Sequence, residues 1–179
     1  LREPDGPEFV FVLQRQAREW LEQQTMDVLR SRLFPLLRKA DLHDRLRVYT
    51  PFVSDGEKEP IYVHSKVTIV DDEFARVGSS NLSNRSMGVD TECDLAVEAA
   101  GDDCVRETIA GFRNRLLGEH LGVAPEAFAE AAAKRGSLIR AIESMLGGKR
   151  SLEPIDMDAA AAMESVAPEF DLLDSERPI

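Results

Sequence analysis

Cysteines, long apolar runs and a leader segment are scarce or missing in this sequence. Cys93 and Cys104 are the only cysteines. Their spacing fits neither a zinc site nor a disulfide framework, so we expect two reduced, partly buried thiols. No apolar run approaches the roughly 20 residues of a transmembrane helix, and the residues after Leu1 do not resemble a signal peptide. These absences favour the cytoplasm or the periphery of a membrane as the location, without fixing either.

The sequence also lacks the excess of basic residues that nucleic-acid-binding domains show. It carries 33 acidic and 22 basic residues, a formal net charge of −11. Residues 151–179 hold eight acids and one base, while the preceding 150 residues hold 25 acids and 21 bases. The body is therefore close to balanced and the tail is acidic, which argues against nucleic acid as a partner.

Apolar patterns alternate between strand-like and helix-like stretches, which predicts an α/β sandwich. Residues 8–14 and 46–53 are short, apolar and rich in β-formers, as buried strands are. Residues 19–42 have apolar side chains at helical spacing, and Pro35 should kink or break that helix. The polar residues 54–60 are expected to form a loop.

The second half of the chain carries clear helix boundaries. Residues 91–100 are strand-like, Asp102 should cap a helix that ends at Gly122, and Pro125 suits the first turn of another helix. The expected organisation is a main domain at residues 1–122, a C-terminal helix at 123–150 and an acidic tail at 151–179.

One apolar stretch, IYVHSKVTIVDDEFARVGSSN at residues 61–81, contains an unusual set of polar residues. Side chains alternate between the two faces of a strand, so His64, Lys66 and Thr68 should share a face. A two-residue hairpin loop at Asp72 and Glu73 would pair residues whose numbers sum to 145. That register places His64 opposite Asn81, Lys66 opposite Ser79 and Thr68 opposite Val77. Gly78 would leave room there for a ligand or another backbone.

The spacing His64-x-Lys66-x4-Asp71-x6-Gly78-Ser79-x-Asn81 resembles the signature of the phospholipase D superfamily. The flanking residues look most like the second motif of bacterial and eukaryotic phospholipases D. The resemblance covers residues 8 to about 120. It implies a phospholipase D-like α/β sandwich half-domain, in which helices flank a central mixed sheet.

The resemblance also implies a role for each motif residue. His64 would be one of two catalytic histidines, Lys66 and Asn81 would bind phosphate oxygens, and Ser79 would assist them. Asp71 would fix the turn. An acidic residue downstream would accept a hydrogen bond from the histidine; Glu92 is the first choice, and Asp90 and Asp94 are the alternatives.

The implied reaction is a two-step exchange at a phosphodiester lipid such as phosphatidylcholine. One histidine attacks phosphorus to give a phosphohistidine, and the other protonates the leaving alcohol. Water or another alcohol then releases the phosphatidyl group, so the enzyme is a hydrolase capable of transphosphatidylation. Because lysine and asparagine stabilise the charge, no cofactor or metal is expected. As a second-motif residue, His64 would be the general acid.

The sequence contains one such motif, although the chemistry needs two. The other histidines, His43 and His120, have no lysine two residues later. The missing motif would come from a half-domain of the same parent chain or from a second copy of this chain. The alternatives are a phosphatidyltransferase of the cardiolipin-synthase type, a homodimeric single-motif endonuclease, and a half-domain that only supports its partner. Peripheral contact with a membrane would suit a lipid substrate.

Overall fold

The structure is a computed structural model that describes residues 1–15 and 20–157. Its strands and helices alternate along the chain, which confirms the α/β class. The acidic tail from residue 158 onward lies outside the described residues. The elements are β1 Phe9–Val12, α1 Trp20–Ala40, β2 Leu46–Asp55, β3 Glu57–Pro60, β4 Lys66–Val70, β5 Phe74–Gly78, α2 Asn84–Gly88, β6 Asp94–Glu98, α3 Asp103–Leu121, α4 Pro125–Arg135, α5 Leu138–Glu143 and β7 Arg150–Pro154.

These strands form two sheets rather than one central sheet. In the mixed sheet (β1, β2, β3 and β7), the central strand β2 pairs parallel with β1 and antiparallel with β3 and β7. In the antiparallel sheet (β4, β5 and β6), β5 lies between its two neighbours. The mixed sheet and its flanking helices agree with the predicted architecture.

The hairpin between β4 and β5 differs from the predicted register by one residue. Val70 pairs with Phe74, so the loop contains three residues, and Lys66 pairs with Gly78 and Thr68 with Arg76. Asp71 and Asp72 both adopt left-handed backbone conformations, with φ of 51° and 57°. Aspartate tolerates that conformation better than most residues. The register that sums to 145 was therefore wrong, because it assumed a two-residue loop.

The main core lies where α3, α4 and α5 pack near β2 and β7. Tyr49, Phe128, Ile142 and Leu152 are almost completely buried in it. Burial of each such side chain contributes on the order of 2 kcal/mol. A smaller cluster, Ala75 with Ala99 and Ile109, lies in the antiparallel sheet and α3.

The predicted helix boundaries of the second half are confirmed. Asp102 accepts hydrogen bonds from the Cys104 and Val105 amides, Gly122 ends α3 with a φ of 68°, and Pro125 begins α4. The expected single helix after Pro125 is instead divided at Gly136, which adopts a φ of 58°.

Glu8 reaches across the sequence to the start of α5. Its carboxylate accepts hydrogen bonds from the Ser137 hydroxyl at 2.5 Å and from the Leu138 and Ile139 amides at 2.7 and 3.1 Å. A carboxylate at a helix N-terminus satisfies orphan amides and interacts favourably with the helix dipole. The contact attaches the residue before β1 to the helical layer.

Three other sequence predictions differ from the structure. Pro35 does not break α1, which continues through it. The expected loop at 54–60 contains β3, whose residues pair with the end of β2. Residues 151–154, expected in the acidic tail, belong to β7 and pair with β2.

Cys93 and Cys104 are free thiols as expected, but both are exposed rather than partly buried. Within the described part of the chain, no helix combines the length and apolar character needed to cross a membrane.

His120, near the end of α3, should make stability depend on pH. Its Nδ1 atom is buried without a hydrogen-bond partner among the described residues. Burial lowers the pKa of His120, and the nearby Arg150 charge lowers it further. The Glu119 charge acts in the opposite direction but does not reverse the shift. The unfolded chain therefore binds the proton more readily. The stability that depends on a neutral His120 ring is fully present above a pH of about 6.5. It is lost as the pH falls through the folded-state pKa.

We expect the free energy of unfolding to fall between pH 7.5 and 5.5, and His120→Gln to reduce that fall. Urea unfolding at both pH values measures the effect. His43→Gln, at an exposed position, is the matched control for the exchange of histidine for glutamine. An identical pH dependence in wild type and His120→Gln would contradict this account.

Candidate active site

A cavity of about 270 Å³ lies between the facing edges of the two sheets. One wall consists of apolar residues of β1 and α1, such as Val12, Leu33 and Phe34. The opposite wall consists of residues 63–68, at the start of β4, and the turn that follows β5. His64, Lys66 and Asn81, the predicted phosphate-site residues, all line this cavity.

His64 and Lys66 lie side by side at the start of β4. The Lys66 Nζ atom is 3.0 Å from His64 Nε2. Lysine can only donate, so Nε2 accepts, and the proton of a neutral ring then lies on Nδ1. His64 precedes β4 rather than lying within it, and its ring stacks on Tyr62 with centroids 5.9 Å apart. The two motif side chains therefore point to the same side, as their spacing predicts.

Ser79 is fixed to the segment before β6. Its hydroxyl donates to Glu92 Oε2 at 2.5 Å and accepts from the Cys93 amide at 3.0 Å, while its own amide donates to the Cys93 carbonyl at 3.1 Å. Ser79 is not among the residues that line the cavity. Its contacts hold the turn at residues 79–81 in place, and the neighbouring Ser80 and Asn81 face the cavity.

Ser80 is buried and bound to Asp94. Its amide is 3.3 Å from Asp94 Oδ1, and its hydroxyl donates to Oδ2 in a short hydrogen bond. These hydrogen bonds lower the pKa of Asp94, and the nearby Arg76 charge contributes further. An ionised Asp94 therefore holds Ser80, the residue directly before Asn81, in place through these hydrogen bonds.

The contact between Asp94 and Ser80 requires a glycine at position 78. A Cβ atom at position 78 would lie 1.6 Å from Asp94 Oδ1 and 2.7 Å from Asp94 Cα. The sequence predicted room here for a ligand or another backbone, and the space is taken by Asp94, whose side chain crosses over the glycine and whose Cα atom also lies close. The glycine of the motif serves a close side-chain approach rather than direct ligand contact.

The acidic partner predicted for His64 is in a different place. Glu92 binds Ser79, and Asp90 pairs with Arg85 at 2.8 Å. Among the described residues, none of the three candidate acids hydrogen-bonds to His64, whose polar contact is with Lys66. The expected hydrogen bond from the His64 imidazole to Glu92 is therefore not formed among the described residues, and Glu92 Oε2 accepts from Ser79 instead.

Asp71 begins the three-residue loop and is exposed, away from the cavity lining. The next two residues attach the loop to α3, since Asp72 pairs with Arg113 in a short contact and Glu73 with Arg106 at 2.5 Å. This position is compatible with the turn-fixing role that the motif implied for Asp71.

The comparisons with known proteins point to one family. A family model described as Phospholipase D matches residues 37–145, which is more than half of the chain. The chain belongs to the phospholipase D family.

Curated relatives of this chain include plant phospholipases D. Phospholipase D alpha 1 of Nicotiana tabacum is 45% identical over 74 residues, covering 38% of this chain and 9% of the relative. The Cynara cardunculus and Arabidopsis thaliana proteins of the same name are 31% and 29% identical over 144 and 149 residues, covering 62% and 64% of this chain. Each of these two matches covers 18% of the relative, so the chain spans less than a fifth of its curated relatives' length. No solved structure matches significantly.

Thr68 lines the cavity of this phospholipase D family member on the face that strand alternation predicts. Arg76 and Ser80 also line the cavity, and the sequence did not point to either of them. The correct three-residue loop would have placed Arg76 opposite Thr68, on the face of Lys66. Ser80 carries no sequence signal, because its role depends on Asp94 from another strand.

The cavity is electropositive although the whole chain is acidic. Its lining includes Arg30, Lys66 and Arg76 together with His64, and contains no aspartate or glutamate. Within the described residues, no group of three or more histidine, cysteine or carboxylate side chains could hold a metal ion. The cavity of this family member thus suits an anionic ligand bound by protein donors.

Proposed function

We propose that this chain is the half of a phospholipase D-type enzyme that supplies the second catalytic motif. Its substrate would be a phosphodiester lipid, whose phosphatidyl group is transferred to water or another alcohol. The observation that supports this most directly is the joint placement of His64, Lys66 and Asn81 around a cavity whose lining lacks carboxylates. A phosphodiester carries one negative charge, and ammonium and amide donors can bind its oxygens.

In the proposed reaction, a histidine from outside this chain attacks phosphorus, forming a P–N bond as the P–O bond to the head group breaks. His64, entering the reaction as imidazolium, gives one proton to the departing alcohol oxygen and becomes neutral. Lys66 turns from His64 to the non-bridging oxygens, which Asn81 also binds as charge develops there. Water or an acceptor alcohol then gives up a proton to His64 and attacks phosphorus. The P–N bond breaks, which regenerates the nucleophilic histidine.

The second histidine has to come from elsewhere. His43 is exposed, with its Nε2 3.3 Å from the Arg2 carbonyl oxygen, and His120 is half-buried at the end of α3. Neither lines the cavity. Because in-line displacement needs groups on both sides of phosphorus, this chain requires a partner that carries the first motif.

The antiparallel sheet also has an exposed apolar surface, on the face away from Lys66. Val77, Leu95 and Val97 are 44%, 76% and 51% exposed and share this face, where Val77 pairs with Val67. All five residues of the edge strand β6 are exposed. We propose that another segment of a longer parent chain covers this face, since curated relatives are more than five times as long as the matched segment. The half-domain bearing the first motif has to approach the cavity instead, because its histidine must reach the phosphorus.

The test is an assay of phosphatidylcholine cleavage at increasing concentrations of this chain. Activity should stay negligible with the chain alone and should appear when a polypeptide that bears the first motif is added. His64→Ala should then reduce the rate by at least about 10³-fold, which is the scale of losing an essential acid. Strong His64-dependent activity that rises as the chain self-associates would instead support a self-paired, nuclease-like architecture.

A further inference from the structure

We propose that Arg76 forms a second oxyanion subsite in the cavity. The preferred substrate would then carry another phosphoryl or carboxylate group close to the phosphodiester that is cleaved. This inference rests on the proposed function, because it takes His64, Lys66 and Asn81 as the residues around the scissile phosphate.

The Arg76 guanidinium is largely buried and has donors to spare. Its side chain is 16% exposed, and its Nη1 atom lies 3.9 Å from Met87 Sδ and 3.8 Å from Asp94 Oδ2. Among the described residues it therefore has no oxygen at hydrogen-bond distance. A guanidinium carries five N–H donors, and those without a protein acceptor are available to a ligand. A ligand in the cavity can satisfy them, because Arg76 lines it.

Asp94 leaves the hydrogen-bond donors of the Arg76 guanidinium available. Both Asp94 oxygens are directed at Ser80, one toward its amide and the other toward its hydroxyl. The ion pair with Arg76 is longer than a hydrogen bond, so Asp94 orients the guanidinium without occupying its donors. Arginine in this situation is well suited to bind an oxyanion with two parallel hydrogen bonds.

The position of Arg76 fits a second group on the same ligand. Lys66 pairs with Gly78 and Thr68 with Arg76, so Arg76 lies on the face of Lys66, two residues farther along the hairpin. Two residues of a strand span about 7 Å. A linker of a few carbon atoms between two oxyanions can cover that distance.

The cavity offers more hydrogen-bond donors than one phosphodiester needs. Lys66 and Asn81 serve the scissile phosphate, and Arg76 adds guanidinium donors whose counter-ion, Asp94 Oδ2, is 3.8 Å away. A second oxyanion can accept hydrogen bonds from these donors, whereas a quaternary ammonium head group such as choline has no acceptor to offer. The subsite therefore selects an acidic head group over a cationic one.

Soluble head groups without acyl chains test this directly by NMR titration of the whole chain at constant ionic strength. Glycerophosphoglycerol contains one phosphodiester, bis(glycerophospho)glycerol contains two, and glycerophosphoglycerate pairs one phosphodiester with a carboxylate. We expect at least one of the latter two to bind about tenfold more tightly than glycerophosphoglycerol, and the better of them identifies the second oxyanion. Glycerophosphocholine should bind more weakly than glycerophosphoglycerol.

Variants separate the subsite from the phosphate site. Arg76→Met should remove the preference while retaining affinity for glycerophosphoglycerol, and Arg140→Met, at an exposed position on α5, should change nothing. Lys66→Met should weaken binding of all the probes. Amide spectra of each variant establish that it is folded, and Arg76→Lys provides a second variant if Arg76→Met is not.

Equal affinity for the one-oxyanion and two-oxyanion probes, within the twofold that two identical phosphates give by statistics, would overturn the subsite. A preference that survives in Arg76→Met would also overturn it. Binding that Lys66→Met leaves unchanged would reject the proposed phosphate site instead, and failure of every probe to bind would reject both.

Discussion

Replacing Gly78 with alanine will destabilise this protein by about 3 kcal/mol, a large effect for the addition of one methyl group. The new Cβ atom would lie 1.6 Å from Asp94 Oδ1 and 2.7 Å from Asp94 Cα, so both the side chain and the backbone of β6 must move. The two hydrogen bonds from Ser80 to Asp94 would be lost with that movement. Urea unfolding of Gly78→Ala and wild type measures the difference.

Gly111→Ala is a matched control, because this glycine lies inside α3 with open space around it. Alanine there should stabilise the helix by up to about 1 kcal/mol. A further test uses Asp94→Ala, which should cost much less in the Gly78→Ala background than in wild type, since the carboxylate contacts are already broken. Gly78→Ala as stable as wild type would show that Asp94 does not cross over the glycine.

Under the proposed function, Lys66→Met will reduce kcat/KM, measured after a polypeptide that bears the first motif is added, by about 10³-fold, the upper range for losing one charge-stabilising donor. Methionine keeps an unbranched apolar stem of similar length, so the change mainly removes the ammonium group beside His64 Nε2. The charge is needed most when the phosphoryl oxygens gain electron density, so kcat should fall more than KM rises. Steady-state kinetics with phosphatidylcholine vesicles separates the two parameters.

Lys134→Met is the control for this experiment, because Lys134 is an exposed residue of α4 outside the cavity. It should leave kcat/KM unchanged, and both variants should unfold within about 0.5 kcal/mol of wild type. A Lys66→Met enzyme with nearly full kcat would mean that the ammonium group does not stabilise the transition state.

The sequence predicted the centre of the candidate site well, because that part depends on local spacing. His64 and Lys66 are two residues apart in extended chain, which places them on one side whatever the surroundings. Asp102, Gly122 and Pro125 were equally readable, since capping and left-handed termini are properties of a few neighbouring residues.

What failed depends on contacts between distant residues or on the length of one loop. The hairpin loop has one residue more than predicted, which places Arg76 opposite Thr68. The left-handed backbone of Asp71 and Asp72 accommodates this longer loop, and the strand pattern alone does not predict it. The family resemblance implied an acidic partner for His64 and Glu92 was the first choice, but Glu92 accepts a hydrogen bond from the Ser79 hydroxyl. The local sequence does not determine which of two nearby groups donates a hydrogen bond to a carboxylate.

The last strand has a consequence for how the chain reaches this fold. β7 follows α1 to α5 in the chain, yet it pairs along β2, with Tyr49 opposite Pro154 and Val53 opposite Arg150. Until residues 150–154 are synthesised, one side of the central strand lacks its partner and presents unpaired backbone groups to other chains. Closure of the mixed sheet is therefore a late, non-local event, which slows folding relative to local pairing. A nascent or truncated chain that ends before residue 150 is the form most exposed to aggregation.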